Sequence, residues 1–271
     1  MTDTTPITTP FTETNSLNGT RENMNNKKVM QFGLLVFIGM LIWEPVVSNL
    51  IVLLLPDAEL LPIYLIHKGL FAVLLLAVVS KVGGLKFFGI ERGSSWWFLV
   101  PALPILLLTA AVFFAPDAVF GLSTPATVGW IFVALFIGIG EESVFRGVLW
   151  RAFEARGILV TAFATSVLFG AMHLIGLLTD IPWQIVTSQA VFAFGAGMMF
   201  AAVRLASGSL LAPIMLHAVF DASAIVAAGG LSEMIDDTLT VAHLLIPGAV
   251  FAVWGLVCIL IVQKRRSRAQ S

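Results

Sequence analysis

The chain has 271 residues, of which 58% are hydrophobic and only 11% are charged. Soluble domains carry about 25% charged residues, so this composition excludes a soluble globular protein and indicates an integral membrane protein. The formal net charge of −1 argues against a nucleic-acid partner. The single cysteine, Cys258, excludes an intrachain disulfide.

Three segments are distinguished by composition. Residues 1–29 are polar and predict a disordered N-terminal tail; residues 1–26 contain no apolar stretch of the kind that marks a cleaved signal peptide. Residues 30–263 predict a single membrane domain, and residues 264–271 a basic C-terminal tail. The expected location is the cell (plasma) membrane, with the lipid bilayer as the surrounding partner.

The apolar runs of the membrane domain are long and do not alternate with polar residues, which predicts helices rather than a β-barrel. The sequence therefore predicts an all-α, polytopic fold with about eight transmembrane helices. We place these runs near residues 31–55, 61–80, 96–115, 126–150, 158–178, 184–204, 208–229 and 240–263.

Basic residues fall on one side of this eight-helix arrangement. With a cytoplasmic N-terminus, fourteen of the fifteen Lys and Arg residues lie in inner segments: Arg21, Lys27, Lys28, Lys81, Lys86, Arg92, Arg146, Arg151, Arg156, Arg204, Lys264, Arg265, Arg266 and Arg268. The outer loops carry acidic residues: Asp57, Glu59, Asp117, Asp180, Glu233, Asp236 and Asp237. By the positive-inside rule, both termini are predicted to be cytoplasmic.

The first predicted hairpin contains two opposite charges. Glu44 and Lys68 are each twelve residues from Pro56 at the turn, so an antiparallel hairpin brings them to a similar depth. We expect an ion pair with a structural role. The alternative is that Lys68 extends to the outer interface.

Two adjacent carboxylates and an arginine occur in the fourth apolar run, Glu141, Glu142 and Arg146. Ionisable groups inside a membrane span are costly and indicate function by default. Glu142 and Arg146 are four residues apart and can pair along one helix, whereas Glu141 has no such neighbour and is a candidate general base. Alternatively, both glutamates only brace a helix end.

Glu141 and His173 lie at one depth in the predicted hairpin of the fourth and fifth helices. Each is sixteen residues from Gly157 at the turn, or about 24 Å at 1.5 Å per residue. Phe169 and His173 are four apart and share one helix face. A lone histidine in an apolar helix is more often a satisfied core residue, but the depth match with Glu141 favours a functional role.

The seventh predicted helix adds His217 and Asp221, again four residues apart and at a compatible depth. They could form a self-satisfied pair. The sixth helix has small residues at Gly195–Gly197 that suit close packing, and we assign it no chemistry.

Glu141, His173, His217 and Asp221 are compatible with three chemistries. In hydrolysis, Glu141 and His173 would activate water while His217 and Asp221 bind the oxyanion. A catalytic zinc site uses the same ligand types, although the His-Glu-x-x-His pattern is absent. A proton-coupled transporter is disfavoured because these groups cluster at one level and no inverted repeat is evident.

The spacings Glu141-Glu142-x-x-x-Arg146, Phe169-x-x-x-His173 and His217-x-x-x-Asp221 resemble the three motifs of the CAAX protease and bacteriocin-processing (CPBP, or Abi) family. The motif-bearing core spans about 126–225. The resemblance implies a glutamate-dependent, metal-free intramembrane endopeptidase acting on a membrane-associated peptide or protein. It implies that Glu141 and His173 activate water, that His217 and Asp221 form the oxyanion site, and that Glu142, Arg146 and Phe169 support them.

The sequence departs from part of that family at Asp221, where prenyl-protein endopeptidases have Asn. An ionised Asp would repel an oxyanion, so Asp221 is expected to hold a proton or to orient His217. The family also includes members linked to bacteriocin immunity or scaffolding. A zinc-dependent protease and a non-enzymatic scaffold or immunity protein therefore remain the alternatives.

Overall fold

A computed structural model describes residues 26–91, 93, 95–116, 118–236 and 240–270. The predicted disordered tail lies outside this range up to residue 25, as do Arg21, Arg92, Asp117 and Asp237 of the topology prediction. Helix α1 begins at Asn26, inside the segment predicted as tail. No strand occurs among the described residues, and the all-α prediction is confirmed.

Ten α-helices make up most of this structure: α1 Asn26–Leu54, α2 Leu60–Val82, α3 Leu99–Phe113, α4 Thr124–Glu142, α5 Leu149–Phe153, α6 Ile158–Met172, α7 Trp183–Ser207, α8 Leu211–Ala228, α9 Leu231–Asp236 and α10 Val241–Gln270. A π-helical segment, Ser143–Val148, joins α4 to α5. Shorter 3₁₀ segments span Trp96–Phe98, Glu154–Arg156 and His173–Leu178.

Eight helical stretches of the described chain are long and apolar enough to cross a membrane, which confirms the predicted number. The fourth stretch is longer than expected. It runs from Thr124 to Arg156, because the π-helical and 3₁₀ segments continue the helix beyond the predicted limit at residue 150. If all eight stretches cross the bilayer, residues 26 and 270 lie on one side of it. That this side is the cytoplasm stays a prediction.

Helix α7 occupies the centre of the bundle and contacts α3, α6, α8 and α10. Its small residues permit the close approach expected from the sequence. A Cβ at Gly195 would collide with the carbonyl oxygen of Gly248 on α10, and one at Gly197 would lie 2.9 Å from the Cβ of Ser166 on α6. Dispersion contacts of this kind hold membrane helices together where no hydrophobic driving force acts between them.

Helix α2 runs beside α4 in the same direction. A Cβ at Gly129 would lie 2.9 Å from Leu61, and one at Gly140 would lie 2.9 Å from Phe71, so residue numbers rise together along both helices. The pairing was not predicted from the sequence. It brings the first hairpin against the part of α4 that ends in Glu141.

The segment between α2 and the Trp96–Phe98 turn is anchored to the far end of α7. Arg204 donates to the carbonyl oxygen of Phe88 at 3.4 Å, and the backbone N–H of Leu210 donates to the carbonyl oxygen of Gly89 at 2.8 Å. Gly89 has φ +89°, and a Cβ there would collide with the Arg204 guanidinium. Arg204 thus belongs to the buried structure and is not an exposed inner-loop charge.

Candidate active site

Glu141 and Glu142 form the last turn of α4, where both side chains are buried. The following residues take a π-helical path from Ser143 to Val148. Such segments are rare and occur frequently at functional sites, because the wider turn changes the direction in which successive side chains point. The unusual backbone therefore coincides with the adjacent carboxylates that the sequence predicted to be functional.

Gly138 brings α4 and α8 together one turn before these carboxylates. A Cβ at this position would lie 2.8 Å from the carbonyl oxygen of Ile214 and 3.3 Å from the backbone nitrogen of Ala218. The two helices therefore meet backbone to backbone. This contact places His217, which lies between Ile214 and Ala218, beside the end of α4.

The predicted Glu142–Arg146 pair is confirmed. Arg146 Nη1 donates to Glu142 Oε1 at 2.9 Å, and both side chains are completely buried. The guanidinium also lies over the ring of Phe169, 4.4 Å from its centroid, which adds a cation–π contact. Removing two charges from water costs free energy, and these close contacts offset part of that cost.

His217 contacts both adjacent glutamates. Its Nδ1 lies 3.0 Å from Glu142 Oε1, the oxygen that also accepts from Arg146. Its Nε2 lies 3.4 Å from Asp221 Oδ2 and 3.8 Å from Glu141 Oε2. An ionised Glu142 paired with Arg146 can only accept, so His217 Nδ1 carries a hydrogen. The opposite nitrogen, Nε2, is then the one that faces the two remaining carboxylates.

His173 stands at the junction of α6 and the His173–Leu178 segment. Its Nδ1 lies 2.9 Å from the carbonyl oxygen of Phe169. Since a carbonyl oxygen only accepts, Nδ1 carries the hydrogen and Nε2 has a free lone pair. The Phe169 ring packs edge-on against both His173 and His217, with centroid separations of 5.1 and 6.0 Å. Phe169 thus holds the two imidazoles apart at defined positions.

The structure brings Glu141, His173, His217 and Asp221 to one place in the bundle, although they are not all in direct contact. His217 lies beside both Glu141 and Asp221, and His173 lies within electrostatic range of His217 and Asp221. No hydrogen bond joins Glu141 to His173 among the described side chains.

Two features of the site were missed by the sequence reasoning. Glu142 was expected to pair with Arg146 and to support the site, but its direct contact with His217 was not predicted. Lys68 was expected to be structural, yet it lies within electrostatic range of Glu141 and His173. A parallel contact between α2 and α4 has no local sequence signal, although the intramembrane position of Lys68 already marked it as unusual.

A metal-binding arrangement is not evident in this site. In the part of the chain that the structure describes, no three His, Cys, Asp or Glu side chains are placed to hold one ion. Glu142 is bonded to Arg146, and His173 Nδ1 to a backbone carbonyl. We therefore derive no step that requires zinc.

Eight helices of the described chain are long and apolar enough to span a membrane, and they surround buried Glu and His side chains and the half-buried Asp221, which defines a multi-pass membrane protein with a polar site inside its helical bundle. Residues 123–223 match the family model "Type II CAAX prenyl endopeptidase Rce1-like". The resemblance to the CPBP family is confirmed by this match, and at the level of the family it supports a CAAX-type intramembrane protease. No curated protein and no solved structure matches the chain.

Proposed function

We propose that this protein is a glutamate-dependent intramembrane endopeptidase that hydrolyses a peptide bond in a membrane-associated peptide or protein. One observation carries the proposal: Glu141 Oε2 lies 3.8 Å from His217 Nε2, which also faces Asp221 at 3.4 Å. A carboxylate and a group that can donate a hydrogen bond are thus adjacent at one level of the membrane. Hydrolysis of an amide needs both.

Glu141 and His173 act on water in the first step. Glu141 removes one proton from the water molecule while the water oxygen attacks the carbonyl carbon of the substrate. His173 Nε2 accepts a hydrogen bond from the same water and orients it. The new C–O bond pushes an electron pair onto the carbonyl oxygen, which becomes an oxyanion. Positioning of this kind removes much of the entropic part of the barrier.

His217 and Asp221 stabilise the oxyanion. This requires a proton on His217 Nε2 or on Asp221, because two unprotonated groups would repel the developing charge. The 3.4 Å separation allows the pair to share one proton and to offer it to the oxyanion. Glu142 supports this function by fixing the hydrogen on Nδ1 of His217.

The proton taken by Glu141 is then delivered to the nitrogen of the scissile amide. The C–N bond breaks as the tetrahedral intermediate collapses, which releases an amine and a carboxylic acid and returns Glu141 to its ionised form. Water is the only co-reactant. The reaction requires no redox partner and no group beyond the side chains named here.

The test uses purified protein in lipid nanodiscs and an internally quenched, farnesylated peptide ending in a CAAX sequence. We expect cleavage by the wild-type protein, and loss of cleavage in Glu141→Gln and in His173→Ala. Glu59→Gln, an exposed carboxylate just before α2, is the matched control and should retain activity. Full activity of Glu141→Gln would refute the assignment of the base.

Comparison of membrane proteomes from cells with wild-type protein and with Glu141→Gln extends the test to natural substrates in the plasma membrane. Peptide termini that depend on Glu141 identify the cleaved proteins. An excess of chelator distinguishes the zinc-dependent alternative from the glutamate-dependent mechanism, because only zinc-dependent cleavage would stop. A phenotype that persists with Glu141→Gln would instead indicate the non-enzymatic scaffold or immunity function.

A further inference from the structure

A second polar cluster lies on the first hairpin, outside the segment that matches the family model. We call Trp43, Glu44, His67 and Lys68 the hairpin cluster. Lys68 Nζ lies 2.9 and 2.7 Å from the two carboxylate oxygens of Glu44, which confirms the predicted ion pair. His67 Nε2 lies 4.0 Å from Glu44, and the rings of Trp43 and His67 stack with centroids 6.2 Å apart.

The hairpin cluster has hydrogen-bonding capacity that the protein itself does not use. Trp43 Nε1 and His67 Nε2 are buried and have no hydrogen-bond partner in the described part of the chain. The Lys68 ammonium has three donor hydrogens, and the Glu44 carboxylate has about four acceptor sites. Both members of the ion pair can therefore bond a further group without separating. Buried polar atoms without partners are costly, so this unused capacity calls for an explanation.

The hairpin cluster adjoins the candidate active site. Phe71 lies on α2 one turn beyond Lys68. It packs against Gly140, the residue before Glu141, where an added Cβ would lie 2.9 Å from the Phe71 ring. Lys68 and Glu44 are within electrostatic range of Glu141, and Lys68 is within range of His173. The side chains of Lys68 and Glu44 are 14% and 19% exposed, similar to 11% for Glu141. These partly exposed groups can face one molecule bound at the site.

A substrate of the proposed peptidase has a specific difficulty at this depth. Its backbone must be extended around the scissile bond, so its N–H and C=O groups lose helical partners where no bulk water replaces them. Each unsatisfied group costs several kcal/mol in hydrocarbon. A protein that binds an extended chain there must supply one donor and one acceptor for each exposed peptide unit.

We propose that the Glu44–Lys68 pair binds one main-chain peptide unit of the substrate, with Lys68 donating to its carbonyl oxygen and Glu44 accepting from its N–H. This inference rests on the proposed peptidase function. The ion pair is neutral overall and presents one donor and one acceptor, which matches an uncharged peptide unit. A substrate carboxylate would fit less well, because Glu44 would leave it with an uncompensated negative charge.

The first experiment measures binding without cleavage. Glu141→Gln protein in nanodiscs is titrated with the farnesylated CAAX peptide, and binding is followed by fluorescence polarisation. Adding Lys68→Met should weaken binding roughly tenfold or more, since a hydrogen bond from a charged donor to the peptide is lost. Lys81→Met, at the exposed inner end of the same helix, is the matched control and should bind as its parent does.

Two further variants separate substrate binding from bracing of the hairpin. The swap Glu44→Lys with Lys68→Glu keeps the ion pair but exchanges donor and acceptor. The double change Glu44→Leu with Lys68→Leu removes both charges, so no lone buried charge is left. Replacing both members of a buried ion pair by apolar residues is often tolerated. Both should retain the parent melting temperature and should bind the peptide roughly tenfold or more weakly than the parent. If either variant is folded and binds the peptide as tightly as the parent protein, the proposal is wrong. The Glu44–Lys68 pair would then only stabilise the hairpin.

Chemical changes in the peptide identify the group that is bound. In a series of peptides, each has one backbone amide replaced by an ester, which removes that N–H. At one position the ester should weaken binding to the Glu141→Gln parent protein but not to the double Leu variant. A C-terminal amide form tests for a carboxylate instead. If Lys68→Met weakens only the free-acid form, or if the parent does not bind the peptide, the proposal is wrong. Cleavage by wild-type protein is scored separately, so failure of the peptidase assignment is distinguishable.

Discussion

His217 Nδ1 lies 3.0 Å from Glu142 Oε1, where the two side chains are only 9% and 0% exposed. This contact links the His217 imidazole of the candidate site to the Arg146 guanidinium through a single carboxylate oxygen. The orientation of His217 therefore depends on a buried ion pair. Outer contacts of this kind position catalytic groups and raise the precision of a site.

The first prediction concerns the stability of that ion pair. Arg146→Met leaves Glu142 buried without a cation, and breaking a buried pair in this way costs about 3–5 kcal/mol. We expect a marked fall in the thermal unfolding temperature of the protein in detergent. Arg156→Met, at the exposed turn before α6, is the control and should unfold near the wild-type temperature.

The double change Glu142→Leu with Arg146→Met completes that experiment. It removes both charges, so most of the lost stability should return, while the support for His217 stays absent. The protein should then be folded but inactive towards the farnesylated peptide. Equal instability of the single and double variants would contradict the interpretation of Glu142 and Arg146 as an ion pair.

The second prediction concerns Asp221. Asp221→Asn replaces a carboxyl group, which can donate only when it holds a proton, by an amide group, which always donates. We therefore expect cleavage of the farnesylated peptide to persist. Asp221→Ala removes the side-chain donor at this position, leaves only His217, and should lower kcat by about 10²–10³, as for other oxyanion donors. Steady-state kinetics in nanodiscs compare the two variants. Unchanged kcat in Asp221→Ala would remove Asp221 from the oxyanion site.

Local contacts of this fold could be predicted from the sequence. The Glu142–Arg146 pair follows from a four-residue helical spacing, and the Glu44–Lys68 pair from equal distances to the hairpin turn. Both depend only on regular helices and short connections. The eight spans were predicted for a similar reason, because membrane thickness sets helix length.

Contacts between distant segments could not be predicted. His217 and Glu142 are 75 residues apart, and their bond depends on the close approach of α4 and α8 at Gly138. The π-helical turn after Glu142 is likewise a product of packing and has no simple sequence pattern. Arg204 was counted as a topology charge, whereas the structure buries it against Phe88 and Trp150.

The third prediction tests the approach of α4 to α8. A Cβ at Gly138 would lie 2.8 Å from the backbone oxygen of Ile214, so Gly138→Ala must push the helices apart. Overpacking of this type costs about 1–3 kcal/mol, and the shift should also lower peptide cleavage by separating Glu141 from His217. Gly39→Ala is the control, since a Cβ there meets nothing within 4 Å. Equal effects of both changes on cleavage would argue against a role for this contact.

The last prediction fixes the orientation of the site, because the positive-inside rule predicts that both termini face the cytoplasm. Cysteines at Lys86 and Ser267 should react with a membrane-impermeant maleimide only after the cytoplasmic side is exposed, and cysteines at Asp57 and Ser232 should react in intact cells. Native Cys258 is buried in α10 and should not react.

Each outcome of the labelling has a structural consequence. Reaction at positions 232 and 267 from the same side would exclude α10 as a membrane span, leaving an odd number of crossings. Reaction at position 86 in intact cells would invert the bundle, and with it the direction from which Arg151 and Arg156 approach the membrane. The turn at Gly157 would then lie on the outer side, and the Glu141–His173 level would be about 24 Å from the outer end of its hairpin and not from the cytoplasmic end.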